Sequence, residues 1–255
     1  MINRLCGAVL LLLAGQALAA TTWTLTTTVS PGVTVSGVAN TGGTDTSNNG
    51  ANQTIQNATI VSYPGGVGIR NADWASGDVD VNESSSPEHA IDNNERFDMV
   101  LLNFGAQKVN LTGLSLGWVN TDSDISVMAY TGANPMSLIG NTYGSLVGLG
   151  WKVIGNYSDE GVGTVNITGS NGQTLLANQS SSYWLIGAYN WVAAGGNFTQ
   201  NTTAGYMDYV KLASVTGDVK TTITQVPEPG SFALITLALV GMLYMRQRRS
   251  AGISA

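Results

Sequence analysis

The sequence is poor in the residue types from which many enzymes build reactive sites. Its 255 residues contain one cysteine, Cys6, and one histidine, His89. A single thiol cannot form an internal disulfide or a multi-cysteine zinc site. A Ser-His-Asp triad would have to use His89. We therefore expect a protein that is not an enzyme, in which His89 is a hydrogen-bonded turn residue.

Charged residues are also scarce, at 10% of the chain, and acidic residues outnumber basic ones. Between Ala20 and Val226 there are six basic and fifteen acidic residues, which gives a formal charge of −9. Such a surface repels phosphate backbones and attracts cations. We expect no nucleic-acid partner, and bound cations rather than bound anions.

The first twenty residues, MINRLCGAVLLLLAGQALAA, have the pattern of a secretory signal peptide. Arg4 precedes an apolar run from Leu5 to Leu13, and a small-x-small site ends at Ala19. This order predicts export through the Sec translocon with cleavage after Ala19. Because Cys6 lies inside this segment, the mature chain is expected to contain no cysteine.

A second apolar run lies near the other terminus, within VPEPGSFALITLALVGMLYMRQRR. Ser231 to Met245 carry no charge, and as a helix they would extend about 22 Å, less than the roughly 30 Å of a hydrocarbon core. Arg246, Arg248 and Arg249 follow, and basic residues favour the cytoplasmic side. We expect a single short transmembrane helix that anchors the chain before processing. Composition alone is equally compatible with a simple C-terminal anchor and a proline hinge.

The order of these elements resembles a known sorting signal. Pro227, Glu228 and Pro229, then a short apolar span and an arginine cluster, are similar to the PEP-CTERM signal of Gram-negative bacteria. The resemblance implies an exosortase, a membrane-embedded cysteine enzyme that recognises the tail and cuts near Pro-Glu-Pro. The body would then reach the cell surface or extracellular matrix, where such proteins commonly accompany exopolysaccharide export.

These signals divide the chain into four predicted parts. They are a signal peptide at 1–19, a surface domain at 20–224, the sorting signal at 225–249 and a tail at 250–255.

The sequence of the surface domain predicts strands separated by Gly, Asn, Asp and Pro. Most of the predicted strands have six to nine residues and are rich in Val, Ile, Tyr and Trp. They are Ala58 to Tyr63, Asp98 to Phe104, Leu111 to Val119, Ile125 to Tyr130, Trp151 to Tyr157, Gly163 to Thr168, Tyr183 to Tyr189 and Tyr206 to Ala213. In one strand Ile125, Val127 and Ala129 share a face, which predicts one-sided burial. We expect an all-β, antiparallel β-sandwich of jelly-roll type.

A stretch of the body, HAIDNNERFD from His89 to Asp98, resembles a signature of exosortase-dependent surface proteins. The stretches WVNTDSDISVMAYTG and SSYWLIGAYN add to this resemblance. That family has no established activity, so the resemblance implies a class and a location without a mechanism.

Oxygen-bearing side chains cluster near strand ends and suggest a structural calcium site. The candidate ligands are Asp92, Asn94, Asp98, Asp122, Asp124 and Asp208. Asp98 and Asp208 fall on apolar strand faces, where a carboxylate needs a partner or a metal. Asx-turns, a salt bridge to Arg96 or exposure at strand ends would explain the same pattern without a metal.

Three functions remain open from the sequence. The first is a matrix protein with a structural or exopolysaccharide-associated role, and the second is a calcium-dependent carbohydrate-binding module. Trp74 and Trp191 lie in Gly-flanked loops and are the candidates for stacking on a sugar. The third is a glycoside-active enzyme that uses Asp122 and Asp124 as paired carboxylates.

Overall fold

The architecture is taken from a computed structural model. It describes residues 20–25, 29–45, 47–71, 87, 89–158, 160–167, 173–174, 176, 178–193, 207–220 and 231–251. The predicted signal peptide, Ala19 and the Pro-Glu-Pro segment lie outside these residues. The chain divides into two compact units, Met1–Lys220 and Thr221–Ala255.

The first unit is built almost entirely from antiparallel strands, as predicted. Its described strands are β1 Thr21–Thr24, β2 Val29–Ser30, β3 Val33–Ala39, β4 Gln56–Tyr63, β5 Gly66–Arg70, β6 Ile91–Asp92, β7 Asp98–Asn103, β8 Lys108–Thr121, β9 Ile125–Tyr130, β10 Trp151–Tyr157, β11 Gly163–Asn166, β12 Gln173–Thr174, β13 Tyr183–Ala188 and β14 Asp208–Lys220. A 3₁₀ helix, Tyr143–Leu149, lies between β9 and β10.

Strand positions follow the sequence closely where the segments are rich in β-branched and aromatic residues. β9 and β10 have the predicted bounds. β14 continues past its predicted end at Ala213 to Lys220, and irregularities in its pairing with β8 break the alternation on which that prediction depended. The sequence reading also missed β5, because two glycines in GVGIR weaken its strand signal.

The strands form one curled sheet whose main path has the order β11-β8-β14-β5-β4-β3-β7-β13-β9-β10-β12. Beside this path, β1 and β6 pair with β14, and β2 pairs with β3. β4 pairs with different neighbours along its length. Its residues Thr59–Tyr63 pair with β5, whereas Gln56–Ala58 pair with β3. β4 therefore joins two halves of the sheet. The finer assignment to a jelly-roll sandwich remains a prediction.

A first hydrophobic cluster combines residues from both halves of the sheet. Leu114 and Leu116 of β8 and Val215 of β14 contribute from one half, and Val127 of β9 and Trp184 of β13 from the other. All five side chains are buried. This shared cluster stabilises the curled arrangement, because neither half could bury its apolar face alone.

A second cluster lies on the opposite face of β9, and it overturns the predicted one-sided burial of that strand. Met128 and Tyr130 pack there with Tyr143 and Leu146 of the 3₁₀ helix and with Trp151. Every residue of β9 is consequently buried. The prediction was wrong because alternation identifies one apolar face but does not show that a distant segment covers the other.

The second unit contains one described helix, α1 Ser231–Ala251. It covers the apolar run and the arginines that follow it, and Leu237, Val240 and Leu243 are exposed. Among the described residues, no helix combines the length and apolarity of a membrane span. The predicted transmembrane role of this segment is therefore unconfirmed.

Candidate metal centre

Three of the predicted ligands meet where β8 turns into β9. Asp122 and Asp124 lie in the short connection after Thr121, and Asp208 is the first residue of β14. The backbone fixes this corner. The Asp124 N–H donates to Asp208 Oδ1 at 2.8 Å, and the Tyr209 N–H donates to the Asp122 carbonyl oxygen at 3.3 Å. The end of β8 and the start of β14 thus bring together residues that are distant in sequence.

The three carboxylates are close enough to share one cation. One oxygen from each of Asp122, Asp124 and Asp208 lies within 4.8 Å of the other two. All three residues are buried, and Asp124 and Asp208 are 0% exposed. Calcium binds oxygens at about 2.3–2.6 Å, so two ligands on one ion are separated by at most about 5 Å. The spacing therefore fits a divalent cation.

Asn93 positions Asp208 from the side. Its Nδ2 donates to Asp208 Oδ2 at 2.6 Å and to the Tyr189 carbonyl oxygen at 3.0 Å, while its Oδ1 accepts from the Asp208 N–H at 2.9 Å. This residue was not in the predicted ligand set. The adjacent carboxylates drew attention in the sequence, whereas an amide that donates to a carboxylate leaves no distinctive local pattern.

Burial and like charge make Asp208 difficult to ionise. Burial, followed by the charges of Asp124 and Asp122, raises the pKa of Asp208 to about 8. Hydrogen bonds from the Asp124 N–H and Asn93 oppose this increase. Burial, followed by the charges of Asp124 and Asp208, also raises the pKa of Tyr189. A divalent cation would reverse the electrostatics by favouring the ionised carboxylates.

The other predicted ligands do not join this group of three. Asp92 Oδ1 accepts the Asn94 N–H at 3.0 Å, which is the Asx-turn considered as an alternative. Asp98 Oδ1 accepts from Asn71 Nδ2 at 3.2 Å. Asn94 is half-buried beside Asp92. Within the described part of the chain, the six candidates therefore separate into a compact triad and three residues with other surroundings.

Arg96, the residue considered as a salt-bridge partner, is buried in a network of backbone carbonyls. Its Nη1 donates to the carbonyl oxygens of Asp45 and Glu95 at 2.9 and 3.2 Å, and its Nη2 donates to that of Gly43 at 3.3 Å. Only 1% of the residue is exposed. Arg96 thereby ties the loop between β3 and β4 to the segment before β7.

Of the two candidates for glycan stacking, Trp191 and Trp74, the structure describes only Trp191. Trp191 is half-buried, its Nε1 donates to Asn48 Oδ1 at 3.0 Å, and its ring contacts Phe97 edge-on at a centroid distance of 4.5 Å. Part of this ring is therefore already occupied by the protein. Trp74 lies outside the described residues. Glycan stacking by either residue stays a prediction.

One pattern that the sequence reading overlooked is the hydrolase-like Gly-x-Ser-x-Gly spacing from Gly113 to Gly117. These residues lie within β8, and Ser115 pairs with Ser214 of β14 and Thr164 of β11. A nucleophilic serine of this motif stands at a turn from a strand into a helix. The position of Ser115 inside a paired strand does not provide that context.

Comparison with known families identifies the sorting segment. Residues 225–249 match the family model described as the PEP-CTERM protein-sorting motif. The chain carries a PEP-CTERM sorting motif. This motif marks an exported protein that is recognised by an exosortase and processed at the membrane. The predicted recognition is thus confirmed.

The PEP-CTERM motif extends into α1, in which the Arg246 side chain is exposed. Arg248 and Arg249 belong to the same helix. Pro227, Glu228 and Pro229 lie outside the described residues. No curated protein matches the chain. No solved structure matches it either.

Proposed function

We propose that the β unit acts outside the cell as a matrix protein in a structural or binding role, associated with exopolysaccharide, and that it catalyses no reaction. The observation that carries this proposal is the PEP-CTERM motif at residues 225–249. Because the motif directs the chain to an exosortase, the unit that it delivers works where exported polymers accumulate. We propose that this location is the surface of a Gram-negative bacterium. The protein would reach it after Sec-dependent export and a membrane-bound stage.

The charge of the body limits how it can contact such a polymer. A formal charge of −9 between Ala20 and Val226 repels uronate or phosphate groups. Association would therefore use a neutral glycan surface or a bridging cation.

Replacing Pro227, Glu228 and Pro229 together with alanine is expected to block processing. Extended Pro-containing backbone gives a protease an accessible strand, and alanine removes that constraint. We expect the unprocessed chain to accumulate in the membrane fraction while surface and medium lose most of the protein. Immunoblots of fractionated exosortase-containing cells measure both quantities.

A matched control replaces Thr222 and Thr224, which directly precede the matched motif at residues 225–249, with alanine. This variant should be processed normally. Equal release of the Pro-Glu-Pro variant and the wild type would contradict exosortase sorting.

The matrix role is tested separately in cells that make no exopolysaccharide. Loss of surface retention of the protein in these cells would support the role, and unchanged retention would contradict it.

The second candidate function is calcium-dependent carbohydrate binding, and the buried triad of Asp122, Asp124 and Asp208 favours it. The residues supply oxygen ligands, which calcium prefers. A bound cation would offset the mutual repulsion of the carboxylates and the free-energy cost of burying their charges. In this role the ion would hold the β8–β9 connection against the start of β14. A glycan would bind to these two segments once the ion had ordered them.

Calcium is expected to raise the thermal unfolding midpoint of the full-length chain. A ligand at 100 times its Kd stabilises the native state by about 2.7 kcal/mol, which corresponds to several degrees for a domain of this size. Differential scanning fluorimetry in chelator and then in increasing calcium measures the shift.

Asp208→Asn and Asp218→Asn provide a matched pair, because both positions lie on β14 and only the first belongs to the triad. The calcium response should disappear in Asp208→Asn and persist in Asp218→Asn. An equal response in all three proteins would place calcium elsewhere. If calcium does not shift the unfolding midpoint of the wild type, the triad is not a calcium site. Calcium-dependent carbohydrate binding would then be contradicted as well.

A further inference from the structure

The strands β3 and β4 separate part-way along their length. Residues 37–39 of β3 pair with residues 56–58 of β4, and the last of these pairs joins Gly37 to Ala58. A Cβ at Gly37 would lie 3.0 Å from the Ala58 carbonyl oxygen and 3.3 Å from Ile60 Cδ1, so glycine allows the two strands to meet there. Beyond this point β3 pairs with β2, whereas β4 pairs with β5. The divergence leaves an open cleft between β3 and β4.

This cleft continues into a second one on the neighbouring surface. The first has a volume of about 460 Å³ and is lined by residues 34–37 and 57–60. The second has a volume of about 340 Å³ and is lined by Ser36, Val38, Asn57, Leu101 and residues 136–139. Because Ser36 and Asn57 line both, the two form one continuous depression, the β3–β4 cleft. Each section has the size of a ligand site, for which about 300–1,000 Å³ is typical.

Four polar side chains of the β3–β4 cleft are not used by the protein itself. They are Thr34, Ser36, Asn57 and Thr59. Three of them are exposed and Ser36 is half-buried. Within the described part of the chain, none of the four side chains has a hydrogen-bond partner in the protein. Their hydroxyl and amide groups are therefore available to a ligand.

The rest of the lining is aliphatic and uncharged. Val35 is buried, and Ile60, Leu101 and Met136 are half-buried. Among the residues that the structure describes, no charged side chain and no aromatic ring lines either section. Such a surface has no counterion for a charged group, whose loss of hydration would therefore be uncompensated. The cleft favours a ligand that combines hydroxyl groups with apolar C–H surface and carries no charge.

We propose that the β3–β4 cleft binds a strand of uncharged glycan, an assignment that rests on the matrix role proposed above. Sugar hydroxyls would hydrogen-bond to Asn57 and Thr59, and the C–H faces of the sugar rings would contact Ile60 and Met136. Without an aromatic platform each sugar is held weakly, so a strand that occupies both sections gains from linked contacts. A polymer is therefore bound more tightly than a monosaccharide. Since no carboxylate lines the cleft, this binding needs no calcium.

Affinity electrophoresis of the full-length chain tests the cleft. The probe is deproteinised exopolysaccharide from the cells that make the protein, separated by anion exchange into a neutral and an anionic fraction. In chelator, the neutral fraction should retard the wild type and the anionic fraction should not. The double variant Asn57→Ala, Thr59→Ala should bind the neutral fraction about tenfold more weakly, because two hydrogen-bonding groups are lost.

This double variant should retain the thermal unfolding midpoint, because neither side chain has a hydrogen-bond partner within the described part of the protein. Thr164→Ala is the control, since Thr164 is an exposed threonine on β11 that lines neither section. Its retardation should equal that of the wild type.

Equal retardation of the double variant and the wild type would overturn the proposal. So would retardation by the anionic fraction alone, or by neither fraction. Binding to untreated exopolysaccharide that disappears after protease digestion would identify a protein strand as the occupant and would also overturn it. None of these results contradicts the matrix role, whose own failure appears as unchanged surface retention in cells that lack exopolysaccharide.

Discussion

Arg96→Met should be among the most destabilising single substitutions in the β unit. The guanidinium is buried and donates to three backbone carbonyls, two of them in the loop between β3 and β4. Methionine retains apolar volume but leaves those carbonyls without their charged donor. A hydrogen bond to a charged group typically contributes about 1.5–3 kcal/mol, so the loss of three is expected to destabilise the protein by at least about 3 kcal/mol. Urea unfolding of the full-length chain should show a loss of this order.

The loop that Arg96 supports explains why so much depends on one side chain. Asn48, Asn49 and Gly50 are consecutive residues with positive φ, at 50°, 53° and 61°. Left-handed backbone is unfavourable for residues other than glycine and needs external support. Asn40 adds to that support, since its Nδ2 donates to the carbonyls of Asn49 and Gly50 at 2.7 and 2.6 Å.

Lys152→Met is the control for Arg96→Met, because Lys152 is an exposed cation on β10. It should change stability by less than about 0.5 kcal/mol. Asn40→Ala should also lower the free energy of unfolding, by less than Arg96→Met does. Similar stability of Arg96→Met and the wild type would mean that the carbonyl network does not hold the loop.

The second large effect is a dependence of stability on pH that arises from Asp208. Its pKa in the folded chain is about 8, against 3.8 for the unperturbed side chain. Because the folded value is higher, this residue's contribution is fully present below about pH 4 and is lost as the pH rises through about 8. In chelator, the free energy of unfolding should therefore fall by several kcal/mol across this interval, at about 1.4 kcal/mol per pKa unit.

Asp208→Asn removes the titrating group and is expected to flatten that dependence. In chelator at pH 8 the variant should be more stable than the wild type, and the order should reverse near pH 4. Asp218→Asn, on the same strand, should retain the wild-type slope. Parallel curves for wild type and Asp208→Asn would show that Asp208 ionises as easily in the folded chain as in the unfolded one.

The stretch from His89 to Asp98 illustrates how sequence and structure divide the information. Its composition marked it as unusual, and its resemblance to exosortase-dependent surface proteins rested on it. The structure gives its residues separate tasks. His89 contacts Lys211, Asn93 holds Asp208, and Arg96 binds loop carbonyls. None of these partners is near in sequence, so no local pattern could have named them.

The candidate metal ligands show the same limit. Strand parity placed Asp98 and Asp208 on apolar faces, and both are buried. Parity gives the face of a residue but leaves the neighbouring strand undetermined. Asp208 therefore met Asp122 and Asp124, whereas Asp98 met Asn71.

By itself the sequence determined the sorting signal, the acidic character of the body, the antiparallel β class and the bounds of strands such as β9 and β10. Each of these depends on composition or on the order of neighbouring residues. Only the tertiary structure decided that Asp124 and Asp208, 84 positions apart, share one buried corner, and that β9 is covered on both faces. Those outcomes depend on strand register and on the curl of the sheet, which are set by packing across the whole unit.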